Sequence, residues 1–93
     1  MWHVYVLRSC CNHNLYVGMT SLSPTERLSR HNSGRVRSTK GRRPFVLVHS
    51  EPFARSNDAR ERERFLKSGA GRVELHALAP TNAAEPATGG QVG

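Results

Sequence analysis

"HVYVLRSCCNHNLYVGMT", residues 3–20, holds two runs of β-branched, aliphatic and aromatic residues, VYVL and LYVGM, on either side of the polar connector RSCCNHN. Runs of this composition around a polar break predict an antiparallel hairpin. Pairing Tyr5 with Tyr16 would set Val4 against Val17 and Val6 against Leu15. Side chains alternate along a strand with period two, so this register puts four aliphatic residues on one face and both phenols on the other. Any even shift keeps that division, whereas a shift by one residue splits the tyrosines and spoils the apolar face. One face is thus expected to build the core and the other to present two phenols.

Downstream, SLSPTERLSRHNSG (21–34) carries helix punctuation at both ends: Ser23 as N-cap, Pro24 at the first helical position, Glu26 completing a capping box and Gly34 as terminator. A helix over Pro24 to Asn32 follows, with Arg27 and His31 one turn apart on the same side. RPFVLVHSEPF (43–53) predicts a third strand from Phe45 to about Ser50, stopped by Pro52. RSNDARERERFLKSGAG (55–71) predicts a helix that starts at a Ser, Asn or Asp cap and ends near Ser68. At about 100° per residue, Ala59 and Leu66 set its inward direction; Glu63 then points inward and Glu61 outward. GRVELHALA (71–79) suits one further short helix. The expected architecture is α+β, a three-stranded antiparallel sheet with flanking helices. Residues 1–76 make the domain and 77–93 a disordered tail, rich in Pro and Gly from Pro80 onward.

Ninety-three residues suffice for one domain with a modest core. No window reaches the roughly 18 consecutive apolar residues of a membrane span, and MWHVYVL lacks the basic start and cleavage site of a signal peptide. A cytoplasmic protein with no membrane partner is expected. Adjacent Cys10 and Cys11 have the wrong spacing for a disulfide with each other and, with His13, make a poor zinc set. The chain has 14 Lys and Arg against 7 Asp and Glu, a formal net charge of +7. Beyond residue 76 the only charge is Glu85, so residues 1–76 carry fourteen basic against six acidic residues, a net +8. GRVRSTKGRR (34–43) puts Arg35, Arg37, Lys40, Arg42 and Arg43 within nine positions among Gly, Ser and Thr. That composition suits a loop that meets phosphate oxygens, although charge runs are more often simply solvated.

Each polar feature alone has an ordinary explanation: a half-buried strand tyrosine packs its ring and bonds its hydroxyl, and a helix Arg or His solvates. The ordered set is more specific. VYV (4–6) and YVG (16–18), RLSRH (27–31) and RERFLKSG (62–69) together resemble the GIY-YIG nucleases over roughly residues 2–72. In that resemblance VYV stands for Gly-Ile-Tyr, YVG for Tyr-Ile-Gly, and Glu63 for the metal-binding glutamate. The chain looks closest to the small stand-alone bacterial members. No DNA-targeting domain is visible, and Asn82 is the only candidate for the late polar ligand that many members carry.

The resemblance implies a DNA endonuclease, with RNA also admitted as partner, and a site made of Tyr5, Tyr16, Arg27, His31 and Glu63. Glu63 would hold a single Mg²⁺ or Mn²⁺, a hard cation that keeps several waters. Tyr5 would be the general base and Tyr16 would orient water or phosphate. An unperturbed phenol titrates near pH 10, so the base role is expected to need positive charge from Arg27, the metal and the basic domain to favour the phenolate. His31 would accept the phenolic proton or hold the hydroxyl in line, and Arg27 would clamp phosphate oxygens. Gly18, having no side chain, is expected to let the phosphate backbone approach the strand. The basic loop and Lys67 would add phosphate contacts. Two readings from other classes stand beside this one: a nucleic-acid-binding module of the same fold with little chemistry, and an interaction subunit that docks its basic face on an acidic protein.

Overall fold

A computed structural model of the protein describes residues 1–79. The elements follow the sequence in the order β1 (Trp2–Ser9), β2 (Leu15–Thr20), α1 (Pro24–Asn32), a 3₁₀ turn (Lys40–Arg42), β3 (Phe45–Phe53), α2 (Ser56–Lys67) and α3 (Arg72–Leu78). The sheet is antiparallel with spatial order β2-β1-β3. Of the tail expected from residue 77, residues 77 and 78 complete α3 and Ala79 is buried. The remainder, with Asn82, lies outside the described residues. Among the described residues no helix is long and apolar enough to cross a membrane.

The hairpin register differs by two residues from the pairing of tyrosine with tyrosine. Tyr5 lies opposite Gly18, Val6 opposite Val17 and Leu7 opposite Tyr16. The physical reason is space: a Cβ at Gly18 would stand 2.5 Å from Tyr5 Oη, so glycine makes the room in which the Tyr5 ring lies across β2. An even slip preserves the faces. Val4, Val6 and Val17 pack with Ala59 and Leu66 of α2 and Leu75 of α3, whereas Tyr5 and Leu7 pack with Phe45 on the other side, joined by Tyr16, Leu28 of α1 and Leu47. Each fully buried aliphatic side chain contributes about 1.5–3 kcal/mol to such a core.

The third strand runs on to Phe53, beyond the expected stop. Pro52 is tolerated because β3 is an edge strand, and it lies opposite His3 within the ladder. A register shift places Val6 opposite His49 and Leu7 opposite Leu47, leaving Val48 as a bulge residue. Ser23 caps α1 by accepting from the Glu26 amide at 3.1 Å. At the other end Gly34, at φ 84°, lets its own N–H reach His31 O and that of Arg35 reach Arg30 O. This pair of bonds is a Schellman closure. For α2 the cap position is Arg55, which makes no side-chain capping bond, so the expected Ser, Asn or Asp cap is not used.

On the apolar side, one charged group fastens three elements. Arg62 of α2 donates Nε to Glu51 Oε1 at 2.9 Å and Nη2 to Glu51 Oε2 at 3.0 Å, and also bonds Glu74 of α3. His49 lies 2.8 Å from the same Glu51 carboxylate. The hydrogen bonds from Arg62, aided by His49, hold the Glu51 carboxyl below its ordinary value of 4.5. A depressed carboxyl adds stability that is present above the unfolded value and is lost as pH falls through the folded one. Arg62→Ala is expected to cost about 1–3 kcal/mol by leaving Glu51 without its main donor. In urea titrations, wild-type stability should fall as pH drops below about 4.5, and the variant's curve should be flatter there.

Candidate active site

The polar side of the sheet is roofed by α1, and the roof meets the floor at one phenol. Tyr5 projects from the central strand and is 1% exposed, with His31 above it at 0%. Tyr5 Oη lies 2.9 Å from His31 Nε2 and accepts from Arg27 Nε at 3.3 Å. His31 Nδ1 is 2.8 Å from Thr39 Oγ1, whose hydroxyl donates to Val36 O at 3.4 Å. One proton assignment makes every contact a hydrogen bond: Thr39 gives its proton to the carbonyl and accepts from His31 Nδ1–H. That leaves Nε2 as the acceptor of the Tyr5 proton.

Electrostatics support a neutral ring. Burial first, then the charges of Arg27 and Arg42, lower His31 from its ordinary 6.5 to about 4. The ring is enclosed by aromatic neighbours, with centroids 5.7 Å from Tyr5, 5.1 Å from Tyr16 and 6.1 Å from Phe45, all edge-on. For Tyr5 the balance differs from the expectation that positive charge would favour a phenolate. Desolvation raises its pKa above 10; the bond from Arg27 opposes this, while Tyr16 and Glu63 push further upward. Burial outweighs the nearby cation, so Tyr5 keeps its proton and must pass it on to act as a base.

Four of the five candidates, Tyr5, Tyr16, Arg27 and His31, meet on this face. Tyr5 and Tyr16 have ring centroids 6.3 Å apart. Glu63 of α2 is linked to them more loosely: its side chain is 18% exposed, its charge acts on Tyr5, and it pairs with Lys67 at 3.2 Å. Lys67 Nζ in turn lies 5.9 Å from the centre of the Tyr16 ring. The inward turn of Glu63 and the outward turn of Glu61 agree with the helical phase set by Ala59 and Leu66. Gly18 is buried and its missing side chain is occupied by the phenol of Tyr5, which corrects the expectation that it clears a path for phosphate.

The basic loop divides. Arg42 turns inward, with its guanidinium 6.0 Å from both the Tyr16 and Phe45 ring centres. Arg35, Arg37, Lys40 and Arg43 are exposed, and Arg43 Nε bonds Lys40 O. Thr39 is the functional neighbour that sequence reading missed. A lone threonine within GRVRSTKGRR carries no periodic signal, yet it is wholly buried against His31. Asn32 also went unread: its side-chain amide accepts from Phe45 N at 2.7 Å and donates to Phe45 O at 3.0 Å, locking α1 to the start of β3.

Among the described residues no three His, Cys, Asp or Glu side chains gather into a metal cage. The carboxylate whose charge acts on Tyr5 is that of Glu63. It fits a hard cation that remains mostly hydrated, provided Lys67 yields its bond to Glu63.

A three-stranded antiparallel sheet with this polar cluster under α1 is consistent with a nuclease-type catalytic domain. The chain belongs to the GIY-YIG family, whose catalytic-domain model matches residues 1–74. It is similar to UPF0213 proteins of archaea and bacteria. The one from Natronomonas pharaonis is 40% identical over 67 residues, spanning 71% of this chain and 76% of that protein. The one from Staphylococcus haemolyticus is 37% identical over 67 residues, spanning 71% and 79%. The solution structure of a UPF0213 protein from Bacillus halodurans is 32% identical, with a TM-score of 0.49 and coverage of 84% of this chain and 85% of that one.

Nitrogen NMR of His31 reads the proton assignment directly. The Nδ1–H tautomer should persist down to about pH 4, and titration near the ordinary histidine value would contradict it. An unfolded histidine takes up its proton near 6.5 and the folded one only near 4, so stability should decline as pH falls across that interval. Thr39→Val, which orphans Nδ1–H, should cost about 1–3 kcal/mol.

Proposed function

We propose that the protein is a metal-dependent endonuclease that hydrolyses phosphodiester bonds in DNA, with Tyr5 and His31 acting together as the proton acceptor. The observation that carries this reading is the Tyr5 hydroxyl held 2.9 Å from the unprotonated nitrogen of a neutral His31. A water attacking phosphorus would lose its proton to Tyr5 Oη as the phenolic proton passes to His31 Nε2, so no free phenolate needs to accumulate. Arg27 now covers the outer side of that hydroxyl through a long bond of 3.3 Å. A phosphate oxygen is a stronger partner for a guanidinium than a neutral phenol, so substrate binding would draw Arg27 away and uncover the base. Tyr16, half-buried beside it, would orient the water or phosphate.

Glu63 would hold one Mg²⁺ or Mn²⁺. Once bound, that ion would supply Lewis-acid polarisation of a phosphate oxygen and compensation for charge on the leaving oxygen. Lys67, released from Glu63, would be free to contact the phosphate backbone with Arg42. The exposed Arg35, Arg37, Lys40 and Arg43 would add contacts that are sequence-independent and salt-sensitive. The same surface admits RNA.

Two observations favour a second reading, a nucleic-acid-binding module with little chemistry: Tyr5 is only 1% exposed, and Glu63 is already paired with Lys67. One assay separates them. Labelled duplex, single-stranded and branched DNA are incubated with the protein in Mg²⁺ or Mn²⁺. The hydrolytic reading expects metal-dependent cleavage that falls about 10²–10⁴-fold in Tyr5→Phe and at least as far in Glu63→Ala. Unchanged cutting by Glu63→Ala would sink the assignment. Salt-sensitive binding without any cleavage by wild type would establish the module instead.

A further inference from the structure

We propose that the cleft between the β1–β2 turn, the 3₁₀ turn and α3 binds one nucleotide of the strand that runs on from the cut site. Its phosphate would lie on Arg42 and Arg72, and its sugar and base on Leu15 and Leu75. The proposal rests on the reading of the chain as a nucleic-acid enzyme, but on none of the residues that reading assigns to chemistry.

The cleft has a volume of about 340 Å³, within the roughly 300–1,000 Å³ typical of small-molecule sites. Two guanidiniums, Arg42 and Arg72, face it together with the rings of His13 and His76 and the amide of Asn14, over an apolar floor of Leu15 and Leu75. Among the described residues no carboxylate lines it. Among the described residues no side-chain hydrogen bond or ion pair engages His13, Arg72 or His76, so their donors are available to a ligand. Arg42 gives Nη2 to Ser38 O at 2.9 Å, and the remaining donors around an apolar floor match a phosphate with an attached nucleoside.

Hydrogen bonds tie the walls of the cleft to one another. Ser9, 0% exposed, donates its hydroxyl to Arg42 O at 2.6 Å and accepts from the amides of Cys11 and Asn12. That one side chain joins the β1–β2 turn to the 3₁₀ turn. Arg8 Nη2 donates to Ala79 O at 2.6 Å and ties β1 to the end of α3. At the turn's tip His13 sits at φ 64°, a conformation uncommon outside glycine and found where a loop is held in one shape.

The cleft also adjoins the phenol pocket. Arg42 lines it while lying 6.0 Å from the Tyr16 ring centre. Leu15 and Leu75 lie on the opposite face of the sheet from Tyr16, so Arg42, at the end of the sheet, is the link: a strand leaving the Tyr5 site would pass over Arg42 to enter the cleft.

The test is an amide NMR titration of the full chain in EDTA with a 5′-phosphorylated thymidine trinucleotide. The amides of His13, Asn14, Leu15, Arg72 and His76 are expected to shift together. By fluorescence anisotropy on a longer single strand, Arg72→Glu should lose about tenfold or more in affinity and reduce the salt slope by about one. Arg60→Glu makes the same change in net charge at an exposed site on α2 and should lose much less. Equal losses in the two variants, or cleft amides that stay still, would overturn the proposal, as would equal shifts with an oligoglutamate peptide or with inorganic phosphate alone. Arg72 and His76 are exposed, and His76→Ala repeats the test without charge reversal. Cleft binding by a protein that never cuts DNA would establish the nucleotide site but remove both the hydrolytic reading and the cleft's relation to a cut site. Cleavage by a protein whose cleft amides do not move has the opposite meaning.

Discussion

A phenol closed off from water must satisfy its hydrogen bonds inside the protein, and Tyr5 does so through α1. His31 takes the hydroxyl at 2.9 Å and Arg27 reaches the same oxygen at 3.3 Å. The helix that contributes both groups is thereby seated on the sheet by the residues that would perform chemistry, so positioning and reactivity share one set of contacts. Gly18 makes the floor deep enough for the ring, and Thr39 fixes the far nitrogen of His31. Removing the His31 ring or the Thr39 hydroxyl leaves a buried polar atom without its partner, which costs more than the bond itself contributes.

The other side of the sheet does the heavier work of stability. Val4, Val6 and Val17 bury against α2 and α3, and the Arg62 cluster fastens β3 to both helices. This division lets α2 serve both sides: Ala59 and Leu66 face the core, while Lys67, paired with Glu63, lies 5.9 Å from the Tyr16 ring centre. The positive charge is likewise divided. Arg42 is packed against aromatic rings, where its field lowers the pKa of His31, and the rest of the loop projects into solvent.

Much of this was legible from periodicity. Alternation in VYVL and LYVGM placed the tyrosines together on one face, and the helical phase of Ala59 and Leu66 turned Glu63 inward. Ser23, Pro24 and Gly34 marked the bounds of α1. Register was not legible, because a polar connector of flexible length sets it only to within an even number of residues. The extension of β3 through Pro52 depends on which strand lies at the edge, a property of topology. Thr39 and Asn32 act through contacts between elements distant in sequence, and no local pattern signals them. The protonation of Tyr5 depended on how completely α1 would cover it; composition suggested a field that favours the phenolate, and burial decided otherwise.

The proposed chemistry requires Glu63 and the Tyr5 phenol to share one site in which Glu63 holds a divalent ion. Substoichiometric Mn²⁺ added to isotope-labelled protein broadens NMR signals near the bound ion and reads this without any turnover. Broadening should begin at Glu63, spread to Tyr16, Gly18, Tyr5 and Arg27, and vanish in Glu63→Gln. Broadening centred on Glu51 and Glu74, or none near the tyrosines at any Mn²⁺ level, would contradict it.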